Sequence, residues 1–200
     1  MKKKFLMAAV VMMTAMSMNA QTKQGEFFSS SWIGGGMSTF AGDIEDAKGR
    51  FALALNTEIG YNVTDWFALS AGLTNTYQGV GYSVINKNLY MDVLSVPFLL
   101  NFSAGPVTLR AGIQPDFTLS ARMNDMSYTD QLKTVSVSAP LALNWNFASD
   151  GDGDLWFLEL RYHLGLTKMN KDVAFTNGWR TPGSIRNSVV MLTVGYKCDL

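Results

Sequence analysis

The feature that most constrains the fold is an alternation of apolar and polar residues with a period of two. It is clearest at 155–166, which reads Leu-Trp-Phe-Leu-Glu-Leu-Arg-Tyr-His-Leu-Gly-Leu. Every even position of this stretch is apolar or aromatic, whereas the odd positions include Glu159, Arg161 and His163, the only histidine of the chain. A period of two predicts a β-strand with two chemically different faces.

The same alternation recurs along the chain and predicts about eight strands. A strand that crosses a bilayer needs roughly 9–11 residues, whereas strands of soluble sheets usually have about five to six. Most of the predicted strands reach the longer length. They lie near 27–40, 51–62, 66–77, 89–102, 107–119, 134–147, 155–166 and 187–197.

In most of the predicted strands one face is apolar and the opposite face is small, polar or charged, whereas Gly34–Gly36 leave the register of the first strand ambiguous. Charged residues make up only 16% of the chain, against about 25% in soluble domains. Brief connections alternate with longer, more polar ones, which is typical of outer-membrane barrels with tight periplasmic turns. The pattern therefore predicts an all-β, eight-stranded antiparallel up-and-down transmembrane β-barrel, with both termini on the periplasmic side.

Aromatic residues collect at both ends of the predicted strands, as expected where a membrane meets water. At the ends with brief turns, a girdle is predicted from Tyr61, Trp66, Trp145, Trp156 and Tyr196, joined by Phe67, Phe102 and Phe147. At the ends with long loops, the second belt is predicted from Phe40, Phe51, Tyr77, Tyr90 and Phe117.

Energetics decides which face of residues 155–166 meets lipid. An arginine on the lipid face costs roughly 2–4 kcal/mol at the bilayer midplane. The charged face must therefore line the bore, which eight strands leave just wide enough for side chains to fill. We expect a lumenal network in which two arginines are shared among three carboxylates, beside one histidine. Its members are Glu58, Arg110, Asp116, Glu159, Arg161 and His163.

The first twenty residues read as a Sec signal peptide, with Lys2, Lys3 and Lys4 before a short apolar run. Residues 21–200 then form the barrel domain. Removing three lysines from 16 basic residues leaves 13 against 16 acidic ones, which argues against a nucleic-acid partner. The predicted location is the cell outer membrane.

Few motifs suggest chemistry. Asp150-Gly-Asp-Gly-Asp154 resembles part of a calcium loop, but Arg161 stands near the position of the closing glutamate. Gly34–Gly36 lack the lysine of a phosphate loop. Cross-strand serines such as Ser136 or Ser138 could approach His163, although nothing in the sequence fixes this. We expect no catalytic residues, no cofactor and no metal.

Two further features lead to structural and functional expectations. Pro97, Pro115 and Pro140 lie inside predicted strands, and because proline lacks a ladder donor, bulges are predicted at these points. The long loop at 168–186 contains an aromatic and basic mixture that could bind a surface ligand. Its candidate residues are Phe175, Trp179 and Arg180.

One region resembles a known family. The stretch Leu94-Ser-Val-Pro-Phe-Leu-Leu-Asn-Phe102, the turn Gly105-Pro106 and the strand Leu109-Arg-Ala-Gly-Ile-Gln-Pro115 are similar to PorT-like outer-membrane β-barrels. The resemblance covers roughly 27–198 and implies an eight-stranded outer-membrane barrel without a shared catalytic site. The last strand ends in Tyr196-Lys-Cys-Asp-Leu200, so Tyr196 is the aromatic residue available to the assembly machinery.

Several functions remain open at this point. The leading hypothesis is a non-enzymatic outer-membrane barrel with a filled polar lumen and a structural or surface-binding role through its extracellular loops. Alternatives are an accessory factor in protein secretion or envelope assembly, a lipid-modifying barrel enzyme, and a soluble periplasmic lipocalin-like binder with inverted faces. The expected partners are outer-membrane lipid, the outer-membrane assembly machinery, and a surface or periplasmic protein.

Overall fold

The computed structural model describes residues 24–42, 47–82, 87–123, 126–149, 154–171 and 184–200. The predicted signal peptide at 1–20 and the loop candidates Phe175, Trp179 and Arg180 lie outside these residues. A search of the described part of the chain finds no helix that is both long and apolar enough to cross a membrane.

The described residues form long β-strands and one 3₁₀ turn, because alternating residues can satisfy two different environments only in extended backbone. The strands are β1 (Phe27–Gly42), β2 (Ala47–Asn62), β3 (Phe67–Tyr82), β4 (Lys87–Ser95), β5 (Phe98–Ala104), β6 (Val107–Met123), β7 (Met126–Ser127), β8 (Val135–Ser149), β9 (Leu155–Gly165) and β10 (Ile185–Asp199). The 3₁₀ turn covers Thr129–Gln131.

Neighbouring strands pair antiparallel all the way round a closed ring. β10 pairs with β1 from Phe28↔Asp199 to Gly42↔Ile185, which closes the barrel. β4 and β5 together make one barrel strand, because both pair with β3 on one side and β6 on the other. The prediction of an eight-stranded antiparallel up-and-down barrel is confirmed. We call the end with brief connections the turn end and the opposite end the loop end.

Over most of the barrel the outer face is apolar and the inner face is polar. Leu160 on β9 is 55% exposed, whereas its neighbours Glu159 and Arg161 are both 0% exposed. The same pattern holds on β2, where Leu55 and Ile59 face out and Glu58 faces in. The alternation at 155–166 therefore separates an outer face suited to lipid from a polar bore.

At the loop end the inner face changes character. The bore there is filled by a cluster of buried apolar side chains, which we call the apolar cap. It comprises Phe40, Val80, Leu89, Met91, Val93, Ala121, Met123, Leu132, Met169 and Ile185. The expected filled lumen is thus polar only below the cap, and the loop end is built like a water-soluble barrel with an apolar interior.

A β-bulge at Leu119 produces this change on β6. Asp92 of β4 pairs with Ser120, but the next residue Val93 pairs with Thr118, so Leu119 has no partner in this ladder. Below the bulge the even residues face the bore, and above it they face out. The extra residue therefore places Arg122 on the outer face, where it is exposed, and leaves the odd-numbered apolar residues inside.

The prediction of bulges at the prolines is wrong. Pro115 pairs in register with Val137, and Pro140 pairs in register with its partner on β9. Pro97 lies in the two-residue break between β4 and β5, and its carbonyl accepts a hydrogen bond from the Gly72 N–H at 3.1 Å. Each proline gives up one donor but needs no extra residue, so the ladder register passes through unchanged.

Two loop segments close the cap from above, and we call them the lid: residues 131–133 and 169–171. The Lys133 N–H donates to the Met169 carbonyl at 2.7 Å, and the Lys171 N–H donates to the Gln131 carbonyl at 3.0 Å. Leu132 and Met169 point into the bore and are only 7% and 2% exposed. The lid is therefore anchored by its own short ladder and by burial of two apolar side chains.

Candidate functional site

The centre of the bore is crossed by four charged side chains, which we call the ion network: Glu58, Arg110, Glu159 and Arg161. The Arg110 guanidinium pairs with Glu58 through Nη2 and with Glu159 through Nη1, the latter at 2.9 Å. Arg161 Nε donates to the other Glu159 oxygen at 2.7 Å. All four side chains are almost completely buried. The alternating charges link β2, β6 and β9 across the bore.

Two neutral residues hold the arginines in place. Asn101 on β5 accepts a hydrogen bond from Arg110 Nε at 2.7 Å. The Arg161 guanidinium lies over the ring of Trp32, 4.6 Å from its centroid, and Trp32 on β1 faces the bore with 3% exposure. A cation over an aromatic face is attracted by the ring quadrupole. The network and its supports thus connect five of the eight barrel strands.

Asp116 does not join this network among the described residues, contrary to the prediction that the arginines share it. Its Oδ1 accepts hydrogen bonds from Ser95 at 2.6 Å and from Gln114 at 2.7 Å. The physical reason is distance along the strand: Asp116 and Arg110 are both on β6, and six residues span about 20 Å. Asp116 therefore belongs to a separate polar layer between the ion network and the cap.

His163 belongs to the same polar layer. It is 3% exposed, and its Nδ1 lies 3.5 Å from Gln114 Nε2. Across the described ranges no serine hydroxyl hydrogen-bonds to the imidazole, so the arrangement of a nucleophile beside a base is not formed there. Nor do the described residues contain a group of three or more His, Cys, Asp or Glu side chains that could hold a metal ion.

Below the ion network the bore opens into a small polar vestibule at the turn end. Its lining includes Asn62, Asn101, Asn144 and Lys197, together with Glu58 and Arg110 of the network. Lys197 Nζ lies 4.2 Å from the centroid of the Phe28 ring. The Asn62 amide and one Glu58 oxygen are buried without a hydrogen-bond partner in the described protein. The vestibule ends where the ion network fills the bore.

Comparison with known proteins identifies the family. The model of the outer membrane protein beta-barrel domain matches residues 7–197, nearly the whole chain. The chain belongs to this outer-membrane β-barrel family. The protein is therefore located in the cell outer membrane, with its apolar outer face in lipid. By the arrangement usual in such barrels, the turn end faces the periplasm and the loop end faces outward.

Solved outer-membrane barrels share the fold. Ail of Yersinia pestis, crystallised with a heparin analogue, is 16% identical with a TM-score of 0.50, covering 86% of this chain and 99% of Ail. Neisserial surface protein A is 10% identical with a TM-score of 0.50, covering 86% of this chain and 95% of that protein. No curated protein matches the sequence. At these identities the likeness shows the fold alone.

The girdle residues of this outer-membrane barrel lie on the outer wall near the turn end. Tyr61, Trp66, Trp145 and Trp156 are between 39% and 58% exposed. They pack against neighbouring rings, as in Trp156–Tyr196 with centroids 5.1 Å apart. At the loop end Phe40 departs from the predicted belt, since it is 5% exposed and lies in the apolar cap. Its parity on β1 places it with the inward residues.

Several sequence candidates receive no site from the described residues. Asp150 and Asp152 lie outside them, and Asp154 accepts a hydrogen bond from the Tyr196 hydroxyl at 2.5 Å. Gly34 and Gly36 face neighbouring backbone on β10 at distances that leave no room for a Cβ. The glycines therefore allow close strand approach in the barrel wall.

Sequence reasoning missed Trp32 and Asn101, the two supports of the arginines. Both could have been found by parity. Trp32 shares its face with Ser30, and Asn101 stands between two outward residues, Leu100 and Phe102. Gly34–Gly36 leave the register of the first predicted strand ambiguous, so Trp32 is not assigned to a face. Asn101 lies in the fourth predicted strand, to whose faces no environment is assigned.

Proposed function

We propose that this barrel is a closed, non-enzymatic scaffold that holds long loops at the cell surface for binding. One observation carries the proposal: the bore is blocked at two separate levels. The ion network fills its middle, and the apolar cap with its lid fills the loop end. A solute would have to break buried charge pairs, which costs about 3–5 kcal/mol when one partner is lost, and then cross a dry apolar layer.

The closed bore leaves the loop end as the functional surface. Loops on rigid scaffolds often carry binding, and here β3 continues past Tyr77 of the belt to Tyr82. The candidate contact residues are Phe175, Trp179 and Arg180. Ail, which shares the fold, was crystallised with a heparin analogue. We therefore choose a sulfated polysaccharide as the first probe.

Two measurements test the proposal. In planar bilayers the purified protein should produce no conductance above the bare membrane, and stable channel openings would refute the closed bore. Cells that display the protein should bind immobilised heparin, and Arg180→Gln and Trp179→Ala should reduce binding. Lys48→Gln, on an exposed part of β2, is the matched control. Equal binding by all variants would refute the role of this loop.

No catalytic step is included in the proposal. Lipid-modifying chemistry would require an activated nucleophile that lipid can reach. His163 is buried in the bore and faces Gln114. Loss of a lipid-modifying activity in a His163→Ala variant would overturn this part of the proposal.

We further propose that the chain belongs to the PorT-like branch of its family. The residues that carry this resemblance form one continuous unit, from the end of β4 through β5 to Pro115 on β6.

The vestibule at the turn end favours an accessory role in secretion or envelope assembly as the second candidate function. Photo-crosslinkers at Gly105, at the turn end, and at Asp130, at the loop end, distinguish the two candidate functions. Adducts with periplasmic proteins from Gly105 support the accessory role, and adducts with surface ligands from Asp130 support surface binding.

The assembly machinery is the remaining proposed partner. Tyr196 is the last aromatic residue on β10 and packs on the outer wall against Trp156. Because β10 closes the ring against β1, recognition of β10 would precede closure. Tyr196→Ala should slow the appearance of the heat-modifiable folded form in cells, and an unchanged rate would contradict this role.

A further inference from the structure

The outer wall carries a polar site at the loop-end aromatic belt, where the wall of such a barrel passes from lipid to water. A cleft of about 330 Å³ is lined by Tyr77, Tyr90, Met91, Asp92, Ser120 and Arg122. We call it the outer-wall cleft. It faces away from the bore, and Tyr77 and Tyr90 are 49% and 36% exposed. Charged side chains cost little at this level of a barrel wall and much more toward the midplane, so this is where they can meet a lipid headgroup.

Two irregularities of the sheet bring charge to this wall. The bulge at Leu119 turns Ser120 and Arg122 outward, next to Asp92. The second irregularity is a register shift between Gly49 and Leu53 in the pairing of β2 with β3, next to Arg50. Arg50 reaches past Gly81, where an added Cβ would lie 3.5 Å from the Arg50 side chain, and donates to the Tyr90 hydroxyl at 2.6 Å. The arginine side chain thus lies against the backbone of β3 at Gly81 and reaches the tyrosine of β4.

Two cations and one acid lie in or beside the cleft: Arg122 and Asp92 line it, and Arg50 lies beside it on the Tyr90 hydroxyl. Arg50 and Arg122 make no ion pair with any described carboxylate, and the only acid in the lining, Asp92, accepts from Asn75 at 2.9 Å. Arginine is well suited to phosphate, because its planar fork of donors matches the phosphate oxygens. The cleft therefore offers two cations to an anionic group at the membrane surface.

The remaining groups suit a sugar. Tyr77 and Tyr90 are stacked with ring centroids 6.0 Å apart and an interplanar angle of 13°, and both rings remain partly exposed to a ligand. Asp92 accepts hydrogen bonds, and Ser120 both donates and accepts. Aromatic faces, hydroxyl partners and cations together match a phosphorylated saccharide rather than a simple zwitterionic headgroup.

We propose that the outer-wall cleft binds the headgroup of a phosphorylated glycolipid from the surrounding membrane. The phosphate lies between Arg50 and Arg122, and the sugar packs on the tyrosine pair with its hydroxyls toward Asp92 and Ser120. The acyl chains then follow the apolar wall below the belt. This site uses none of the long-loop residues, so it is independent of the proposed surface binding.

Native mass spectrometry of the folded protein released from nanodiscs tests the site. The nanodiscs contain phosphatidylcholine with a small fraction of lipid A, a phosphorylated glucosamine disaccharide lipid. The wild type should retain one lipid A. In the Arg50→Gln/Arg122→Gln double variant the retained fraction should fall at least about tenfold, because each basic residue near the membrane surface strengthens binding of anionic lipid about fivefold. Arg186→Gln, exposed at the loop end of β10, is the matched control.

Each outcome decides the question. Loss in the double variant, retention in Arg186→Gln and weaker retention of dephosphorylated lipid A support the site. Wild-type retention by the double variant, or equal loss in Arg186→Gln, overturns it. Displacement of the lipid by millimolar inorganic phosphate, with phosphate bound in its place, overturns the assignment to a lipid. If heat-modifiable migration shows that the double variant is unfolded, Arg122→Gln alone is decisive, since the Arg122 side chain makes no hydrogen bond with a described residue.

Discussion

Replacing Glu159 by glutamine is the sharpest test of the ion network. Glu159 is 0% exposed, and its two oxygens bind Arg110 at 2.9 Å and Arg161 at 2.7 Å. Glutamine keeps the shape and volume of the side chain but removes its charge. Arg110 retains Glu58 and Asn101 as partners, whereas Arg161 loses the carboxylate that the described structure gives it.

The expected cost follows from stranding one buried cation. Removal of one partner from a buried ion pair costs about 3–5 kcal/mol. The stacking of Arg161 on Trp32, worth about 1–2 kcal/mol when desolvated, remains in the variant. We therefore expect Glu159→Gln to lower the free energy of unfolding by about 3 kcal/mol. Adding Arg161→Met should restore at least about 1.5 kcal/mol, because the two residues are directly coupled.

The measurement is reversible urea unfolding in lipid vesicles, followed by tryptophan fluorescence. Asp130→Asn, the same chemical change at an exposed position, should shift the free energy by no more than about 0.5 kcal/mol. A loss below about 1 kcal/mol for Glu159→Gln, or additivity of the two substitutions in the double variant, would show that the pairs do not hold the barrel together.

Three further outcomes are expected. Leu160→Arg on the lipid-facing wall should cost about 2–4 kcal/mol in the same titration, and a loss under about 1 kcal/mol would place lipid elsewhere. Gly36→Ala should cost about 1–3 kcal/mol because a Cβ would collide with the Val190 carbonyl, whereas Gly35→Ala meets only a movable phenylalanine ring at 3.3 Å and should stay near wild type; equal costs would contradict the close approach. Leu132→Asp should release the lid and expose Lys133 to trypsin added to intact cells. Protection equal to that of the wild type would show that burial of Leu132 does not anchor the lid.

The faces of the barrel could be predicted because the same rule applies to each strand: apolar side chains are more stable against lipid, and charged side chains are more stable in the bore. The opposite orientation of 155–166 would expose Glu159 and Arg161 to hydrocarbon, so its free-energy cost excludes that orientation for this strand. The composition of the network was less accessible. Its pairs depend on the relative heights of strands around the ring, which no single strand specifies. Even so, the separation of six positions along β6 is enough to predict that Arg110 and Asp116 do not meet.

The apolar cap escaped prediction for a different reason. From Thr118 to Met123 the sequence keeps alternating polar and apolar residues, so the period gives no sign that the faces have exchanged. The bulge at Leu119 makes the exchange, and a bulge is a property of two strands rather than one. The prolines were misleading signals, since the register shifts lie elsewhere in the barrel.

The bulge at Leu119 also leads us to expect one preferred depth of the protein in the membrane. If the barrel sank by one residue pair, Arg122 would enter hydrocarbon; if it rose, Leu119 would lose its lipid cover. Both displacements are opposed, and thickness mismatch would have to be met by the bilayer rather than by the protein. We therefore expect the bulge at Leu119 to mark the height at which the membrane surface meets the barrel. Moving the bulge along β6 should change the height of the surface loops above the membrane.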